Sequence, residues 1–223
     1  MLAVAELWEV LTEHFSEFSL GFWVTVRLVA VSFVIAMVVG TVVAAMRVAP
    51  LRPLNWIGGV FVELFRNTPL LVLLFISFAG LRRAGIPINA WVAATASLGL
   101  YTSAYVAEAL RSGVFAVSKG QIEASLSLGL DYRRTLRHII LPQAFRTVIP
   151  HLGSLTIAMI KNSAIIGVSL LALEDLLHQA RVVNSRTFAT HEAFFWAAVG
   201  YLILTLMVTV AVRRLENRYA IHR

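Results

Sequence analysis

Long apolar stretches separated by short polar segments dominate the pattern of hydrophobic and polar positions along the chain. A helix that crosses a membrane needs roughly 20 mostly apolar residues. The predicted spans cover about Leu20–Met46, Asn55–Gly80, Asn89–Leu110, Phe145–Leu173 and Ala193–Val212. Glu63 and Arg66 lie inside the second span, and Lys161 interrupts the fourth. The pattern therefore predicts an all-α, polytopic membrane protein with five transmembrane helices.

Residues 1–19 follow a different pattern, with acidic and apolar positions on opposite faces of one helix. The acidic positions are Glu6, Glu9, Glu13 and Glu17, and the apolar ones are Leu7, Val10, Leu11, Phe15 and Phe18. A secretory signal would begin with basic residues instead. We therefore expect an amphipathic N-terminal helix that lies on the external membrane surface.

Composition supports this interpretation. Of the 223 residues, 59% are hydrophobic and 14% are charged, whereas a soluble domain has about 25% charged residues. The net charge of +7 would suit nucleic acid or an anionic surface, and the apolar excess favours membrane lipid over nucleic acid. The absence of cysteine excludes a disulfide scaffold and a thiol enzyme. The histidines do not pair at ligand spacing, so we expect no metal site.

Lysine and arginine are concentrated after the first span, after the third span and in the tail. They are Arg47, Arg52, Arg111, Lys119, Arg133, Arg134, Arg137, Arg146, Arg213, Arg214, Arg218 and Arg223. Basic residues accumulate on the cytoplasmic side of membrane proteins. We therefore expect a transmembrane domain over residues 20–215, with the N-terminus outside and the tail, residues 216–223, in the cytoplasm.

The connection between the third and fourth spans is the longest and most polar stretch between spans. Ser118 can cap a helix, and Gln121 follows at the spacing of a capping box. Gly129 suits a left-handed stop, so a helix is predicted over residues 119–128, with a second start at Asp131. Taken alone, this chemistry leaves open an amphipathic loop whose basic residues bind lipid phosphates.

The landmarks of this loop, over about residues 118–142, resemble the EAA motif of ABC importer permeases. The positions that carry the resemblance are Gln121, Glu123, Ala124, Ser125, Gly129, Ile139, Leu141 and Pro142. Ser125 stands where the family has a second alanine. The segments FVELFRNTPLL at 61–71, AYVAE at 104–108, GQIEA at 120–124 and KNS at 161–163 are similar to the polar amino acid subfamily, which carries histidine, glutamate, glutamine or arginine.

The resemblance implies a type I ABC importer permease fold with a cytoplasmic coupling helix that docks on an ATPase. It implies that Glu123, Ala124 and Gly129 dock there, with small Ala124 and Ser125 allowing close approach. The implied partners are two ABC ATPase subunits, a second identical or paralogous permease and an extracytoplasmic solute-binding protein, in a bacterial cell membrane. The chain lacks GxxxxGK[ST], so ATP and magnesium would bind to the ATPase. We expect no cofactor and no catalytic residue in this chain.

Polar side chains inside the predicted spans are candidates for a substrate path, because a charge in hydrocarbon is costly unless it faces protein or water. The candidates are Arg66, Asn67, Thr68, Lys161, Asn162 and Ser163. Arg66 can hold a carboxylate through its planar fork, or it can form a structural ion pair with Glu63. For Glu108 we favour a structural pair with Arg111. Two cations suit an acidic or neutral polar amino acid, with glutamate or glutamine as the first expectation.

Two other classes of membrane protein share this hydropathy. A secondary transporter or channel subunit would have no need of the EAA spacing. A membrane-embedded enzyme would need a catalytic constellation such as HExxH or paired aspartates within the membrane. Asp131 and Asp175 are the aspartates of this sequence, and both lie outside the predicted spans.

Overall fold

The computed structural model describes residues 2–169, 171 and 173–219, and this part of the chain is helical without strands. Its helices are α1 Leu2–Glu13, α2 Phe15–Val48, α3 Arg52–Asn67, α4 Leu70–Phe75, α5 Leu81–Arg83, α6 Ala90–Phe115, α7 Lys119–Ser127, α8 Tyr132–Thr135, α9 Leu141–Gly167, α10 Leu176–Thr187 and α11 Thr190–Tyr219. A π-helical turn over Ile76–Gly80 joins α4 to α5, and a second one over Leu136–Ile140 joins α8 to α9.

Helices α2 and α11 are each long and apolar enough to cross a bilayer. A third candidate is the pair formed by α3 and the segment Leu70–Arg83, if this bent pair is one span. Helices α6 and α9 have 26 and 27 residues, or about 40 Å, which exceeds the roughly 30 Å of hydrocarbon. Neither helix is apolar enough to meet the criterion that α2 and α11 meet, so the number of five spans stays a prediction.

The predicted second span is broken at Thr68 and Pro69. Helix α3 ends at Asn67 and α4 begins at Leu70. A proline ring disfavours the helical conformation at the residue before it, which explains why the helix cannot continue through Thr68. Pro69 itself is extended, with φ −58° and ψ 136°. The segment is therefore two helices with a sharp bend instead of one kinked helix.

The N-terminal helix α1 packs against its own chain. Val10 of α1 and Phe18 of α2 are buried with Leu176, Ala180 and Val183 of α10. The side chains of residues 5–13 opposite this contact are mostly exposed, as the amphipathic pattern predicts. At least part of the apolar face therefore contacts protein, and the location of α1 on the external membrane surface stays a prediction.

Packing divides the chain into two compact units. The first comprises Met1–Val34, Thr68–Gly99 and Ile157–Met207, and the second comprises Ile35–Asn67, Leu100–Thr156 and Val208–Arg223. In the second unit, Val43, Ala44, Val62 and Ala107 form a buried cluster. Gly113 lies directly against Val148 there, where a Cβ would overlap the valine.

Large apolar side chains cover much of the outer surface of the long helices. Val34, Val38 and Val42 of α2 are exposed, as are Leu206 and Met207 of α11. Contiguous apolar surface of this kind marks contact with a membrane or another protein. It agrees with the composition, because these helices find their apolar surroundings largely outside the chain.

Candidate coupling and transport site

Helix α7 is the helix that the sequence predicts in the long loop. It covers Lys119–Ser127, and Gly129 follows it with φ 81°. The N–H of Gly129 donates to the Leu126 carbonyl at 2.9 Å, and the N–H of Leu130 donates to the Ser125 carbonyl at 3.2 Å. These two bonds form a Schellman motif. The predicted helix and its left-handed stop are therefore confirmed.

The start of α7 differs from the expected capping box. Ser118 occupies the N-cap with an extended backbone, yet its side chain makes no hydrogen bond to the helix. The amide that a capping hydroxyl would bind is that of Gln121. This N–H donates instead to the backbone carbonyl of Ser118, at 3.1 Å. The capping box is therefore not formed, because a backbone acceptor has taken its donor.

Helix α7 exposes one polar face and turns the other towards α8. Gln121, Glu123 and Ala124 are exposed, whereas Ser125 is buried. The Ser125 hydroxyl donates to the Ile122 carbonyl at 2.7 Å and lies 3.0 Å from the Thr135 hydroxyl. Since the Ser125 proton is on the carbonyl, Thr135 is the donor in this pair.

The role expected of Ser125 therefore needs a correction. Its side chain points into the chain instead of towards a partner, and it holds α7 to α8 through Thr135. The serine that replaces the family's second alanine adds an internal hydrogen bond here. The exposed Ala124 still permits a close approach from outside.

The return from the loop passes through α8 and the π-helical turn. Asp131 caps α8, because the N–H of Arg134 donates to its Oδ1 at 2.7 Å, which confirms the predicted second start. Pro142 then lies in the first turn of α9, where it has no N–H to offer the preceding turn. The wider π-helical turn ends immediately before α9 begins. Ile139 is half-buried, and Leu141 and Pro142 are exposed.

At the end of α3, in the second unit, the expected pair of Glu63 and Arg66 is not formed. Instead, the Asn67 amide donates to Glu63 Oε2 at 2.9 Å, and the Arg66 guanidinium lies 5.3 Å from the centroid of the Tyr105 ring. Asn67 is one helical turn from Glu63 and competes for its carboxylate. Arg66 instead makes a cation–π contact while its side chain stays exposed.

Glu108 of α6 lies between two arginines of the second unit. Arg111 Nε donates to its Oε1 at 3.1 Å, and Arg47 of α2 lies 3.3 Å from its Oε2. The contact with Arg47 was not apparent from the sequence, because the two residues are far apart along the chain. The pair with Arg47 joins the ends of two long helices, whereas Arg111 lies on the same helix as Glu108.

The segment Lys161–Asn162–Ser163 lies on α9, in the first unit. Thr68, in the break after α3, belongs to the same unit. Lys161 is exposed, and Asn162 and Thr68 are half-buried. Ser163 is fully buried and its hydroxyl donates to the Ile160 carbonyl at 2.7 Å. Only Lys161 and Asn162 of this motif therefore present polar groups to an outside path.

Asp175 is a buried acid at the start of α10. Its Oδ1 accepts a hydrogen bond from the N–H of His178 at 2.8 Å, which makes it the N-cap. Removal from water raises its pKa to about 7, since burial disfavours the ionised form. Gly167 permits this position, because a Cβ there would overlap the Asp175 carboxylate.

Comparison with known proteins decides the family. Residues 16–221 match the family described as "Binding-protein-dependent transport system inner membrane component". The chain belongs to this family. The permease is 41% identical to the probable glutamine ABC transporter permease protein GlnM of Bacillus subtilis, over 94% of this chain and 96% of that one. It is 39% identical to the glutamate transport system permease protein GluC of Corynebacterium glutamicum, over 91% and 94% of the two chains.

Solved structures agree with this assignment. The permease superposes with a TM-score of 0.88 on the structure described as "Crystal structure of an amino acid ABC transporter with histidines", at 33% identity over 93% of this chain and 96% of that one. A chain of the MetNI methionine ABC transporter shares the fold, with a TM-score of 0.69 and 20% identity. The predicted type I permease fold is therefore confirmed.

The permease is a membrane subunit of an amino acid ABC importer and not an enzyme, because ATP hydrolysis belongs to a separate ATPase. Its family implies an ATPase and a substrate-binding protein as partners. This assignment excludes the alternative of a secondary transporter or channel subunit.

Proposed function

We propose that this permease moves glutamine or glutamate from an extracytoplasmic binding protein into the cytoplasm. The relatives at 41% and 39% identity are named for glutamine and glutamate. Relatives named for arginine and L-cystine are 33% and 32% identical. The cations Arg66 and Lys161 also suit a substrate with a carboxylate.

The geometry of α7 is the observation that carries the coupling part of the proposal. Its exposed face, with Gln121, Glu123 and Ala124, offers a partner a polar surface with room for close approach. The Ser125–Thr135 hydrogen bond fixes its other face to α8. A displacement of α7 by an ATPase is therefore passed to α8 and onwards into α9.

The transport cycle then follows from binding alone. ATP and magnesium bind to two cytoplasmic ATPase subunits, each docked on the α7 of one of two permease chains. The closed ATPase pair binds one permease conformation more tightly than the other, so ATP shifts the population and hydrolysis restores it. We place the N-terminus outside and the C-terminus in the cytoplasm of a bacterial cell, because the basic residues favour that orientation.

Arg66, Asn67, Thr68, Lys161 and Asn162 are the residues that we assign to the substrate path. Arg66 and Lys161 are exposed, and the N–H groups of each can donate hydrogen bonds to a substrate carboxylate. The helix is interrupted between Asn67 and Leu70, and membrane proteins tolerate such irregular backbone where it lines a cavity. Ser163 is left out, because its hydroxyl is buried and bonded to the backbone.

Reconstitution tests this proposal directly. The permease, its ATPase and its binding protein are placed in proteoliposomes, and uptake of labelled glutamine, glutamate, arginine and cystine is measured with and without ATP. We expect ATP-dependent uptake of glutamine or glutamate. Uptake of arginine or cystine alone would overturn the substrate assignment, and uptake without ATP would overturn the coupling.

Two matched pairs of variants sharpen the test. Glu123→Gln should weaken the association with the ATPase, whereas Glu9→Gln, on the exposed face of α1, should not.

Arg66→Lys keeps the charge but loses the fork, so we expect a KM raised about tenfold, equivalent to about 1.4 kcal/mol. Arg82→Lys is its control, because Arg82 also lies over a ring, 5.0 Å from the Phe78 centroid. An equal KM in both variants would remove Arg66 from the path.

A further inference from the structure

Helix α10 ends in a backbone conformation that its residue disfavours. Phe188 has φ 58° and ψ 14°, and it is the one non-glycine residue with positive φ in the described part of the chain. Glycine is the usual residue at a left-handed helix end, because a side chain there crowds the backbone. A bulky residue at such a position is an outlier that calls for an explanation.

The Phe188 side chain gains almost nothing from its own chain. It is 86% exposed, which exceeds the exposure of every other large apolar side chain in the part that the structure describes. An unstrained alternative is available at no loss of packing, since glycine would keep the backbone and give up only an exposed ring. The strain at Phe188 is therefore not explained by the folding of this chain.

Hydrogen bonds hold Phe188 in this conformation. Its N–H donates to the Asn184 carbonyl at 2.8 Å, and its carbonyl accepts from the N–H of Thr190 at 3.0 Å. The Thr190 hydroxyl also donates to the Asn184 side chain at 2.8 Å. The body of α10 is anchored through Leu176, Gln179, Ala180 and Val183, which are buried. The ring is thus presented in a fixed direction from a rigid base.

We propose that Phe188 is an anchor for the solute-binding protein, with its ring entering an apolar pocket of that protein. This inference rests on the proposed function, which places α10 outside the cell, because α9 alone carries the chain from the cytoplasmic loop to α10. Arg186 stands beside Phe188 with 63% of its side chain exposed, loosely paired with Glu17 at 3.9 Å. Phenylalanine and arginine are both enriched at protein interfaces relative to the rest of the protein surface.

A protein pocket explains Phe188 better than lipid does. The aromatic residues enriched at membrane interfaces are tryptophan and tyrosine, whose polar atoms reach the headgroups, and phenylalanine has no such atom. A fluid lipid surface also needs no fixed ring direction, so it gives no reason for the strain. A preformed pocket rewards an anchor that is already in its bound conformation.

The test compares Phe188→Gly with Phe15→Ala in the complete transporter in lipid nanodiscs. Phe15 is a control because it is 63% exposed in the same unit and lies within a regular helix. The affinity for the substrate-loaded binding protein, the ATPase activity with and without that protein, and the Tm are measured for each variant.

For Phe188→Gly we expect at least tenfold weaker affinity for the binding protein and loss of ATPase stimulation, with unchanged basal ATPase activity and an unchanged or higher Tm. Phe15→Ala should leave that affinity within twofold of the parent. Phe188→Leu should retain part of the affinity, because an apolar side chain still fills the pocket.

Unchanged affinity in Phe188→Gly would overturn the proposal while leaving the transport function intact. Unchanged affinity together with a lower Tm that depends on the lipid would instead assign the ring to the membrane. If no binding protein stimulates the parent transporter, the proposed function itself fails, which is a different result from the failure of a single variant.

Discussion

The two short helices α7 and α10 differ in how they begin and in how much of their surface is buried. Helix α7 has no side-chain cap at its start and buries only Ser125. Helix α10 begins at the buried cap Asp175 and buries one face against its own unit. Helix α10 is part of the core of its unit, whereas α7 leaves most of its surface exposed, as the proposed docking on an ATPase requires.

The same contrast appears at the other end of each helix. Both end with a left-handed residue, Gly129 after α7 and Phe188 after α10. Glycine adopts this conformation without strain, so α7 ends as folding alone would favour. The phenylalanine departs from that rule, which points to selection for a contact outside the chain.

The largest expected effect is a pH dependence of stability in α10 that α7 lacks. The folded-state pKa of Asp175 is raised to about 7, so the folded protein binds more protons than the unfolded chain between about pH 4 and about pH 7. Its stability should therefore fall as the pH rises through this range, by up to roughly 4 kcal/mol. Hydrogen exchange of α10 should report this change, and that of α7 should not.

Asp175→Asn provides the control for this pH dependence. The amide keeps an acceptor for the N–H of His178 but does not titrate, so the slope in α10 should disappear. If parent and variant lose stability equally with rising pH, the dependence belongs to another group.

The next effect in size comes from Gly167→Ala, which removes the space for the cap of α10. A Cβ at this position would overlap the Asp175 carboxylate, and overpacking of a buried site costs about 3 kcal/mol at the upper end of the usual range. Gly59→Ala is the control, because a Cβ there meets nothing within 4 Å and should stabilise α3 by up to about 1 kcal/mol. Thermal unfolding in one detergent compares the two. A similar Tm for both variants would argue against a rigid Asp175.

A smaller effect concerns the end of α7. Gly129→Ala places a Cβ at φ 81°, which should cost about 1–2 kcal/mol. Gly120→Ala lies in the same helix without positive φ, so it should stabilise α7 by up to about 1 kcal/mol. Hydrogen exchange should show a less stable α7 in Gly129→Ala and a more stable α7 in Gly120→Ala. The affinity for the ATPase should fall in the first variant and rise in the second. Movement in the same direction would show that the left-handed stop is unimportant.

The smallest effect is expected at Ser118. Loss of a side-chain N-cap usually costs about 1 kcal/mol, but the Ser118 hydroxyl makes no such bond. Ser118→Ala should therefore change the free energy of unfolding by less than about 0.5 kcal/mol. A cost of a full cap would mean that the hydroxyl takes the Gln121 amide in the working transporter.

Local signals in the sequence predicted the local features of these helices. The extent of α7, the stop at Gly129 and the cap at Asp131 each depend on residues within a few positions of one another. Capping and left-handed ends are determined by such neighbours. Asp175 obeys the same local rule, because it caps α10 from the position directly before the helix.

Features that depend on distant residues were not predicted. The burial of Ser125 depends on Thr135 of α8, and the position of Arg66 depends on Tyr105 of another helix. The break at Thr68 is different, because it follows from the adjacent Pro69, although the predicted second span runs through it. Phe188 carried no signal, because sequence rules place glycine at such a position.

The Ser125–Thr135 hydrogen bond sets a limit on engineering this family member for a foreign ATPase. A graft of α7 alone would leave the Thr135 hydroxyl without its acceptor in the interior, since both side chains are buried. The exchangeable module is therefore the whole cassette from Ser118 to Pro142, whose two helices were matched to each other. A chimera made at that boundary brings its own internal contacts and changes only the surface offered to the new ATPase.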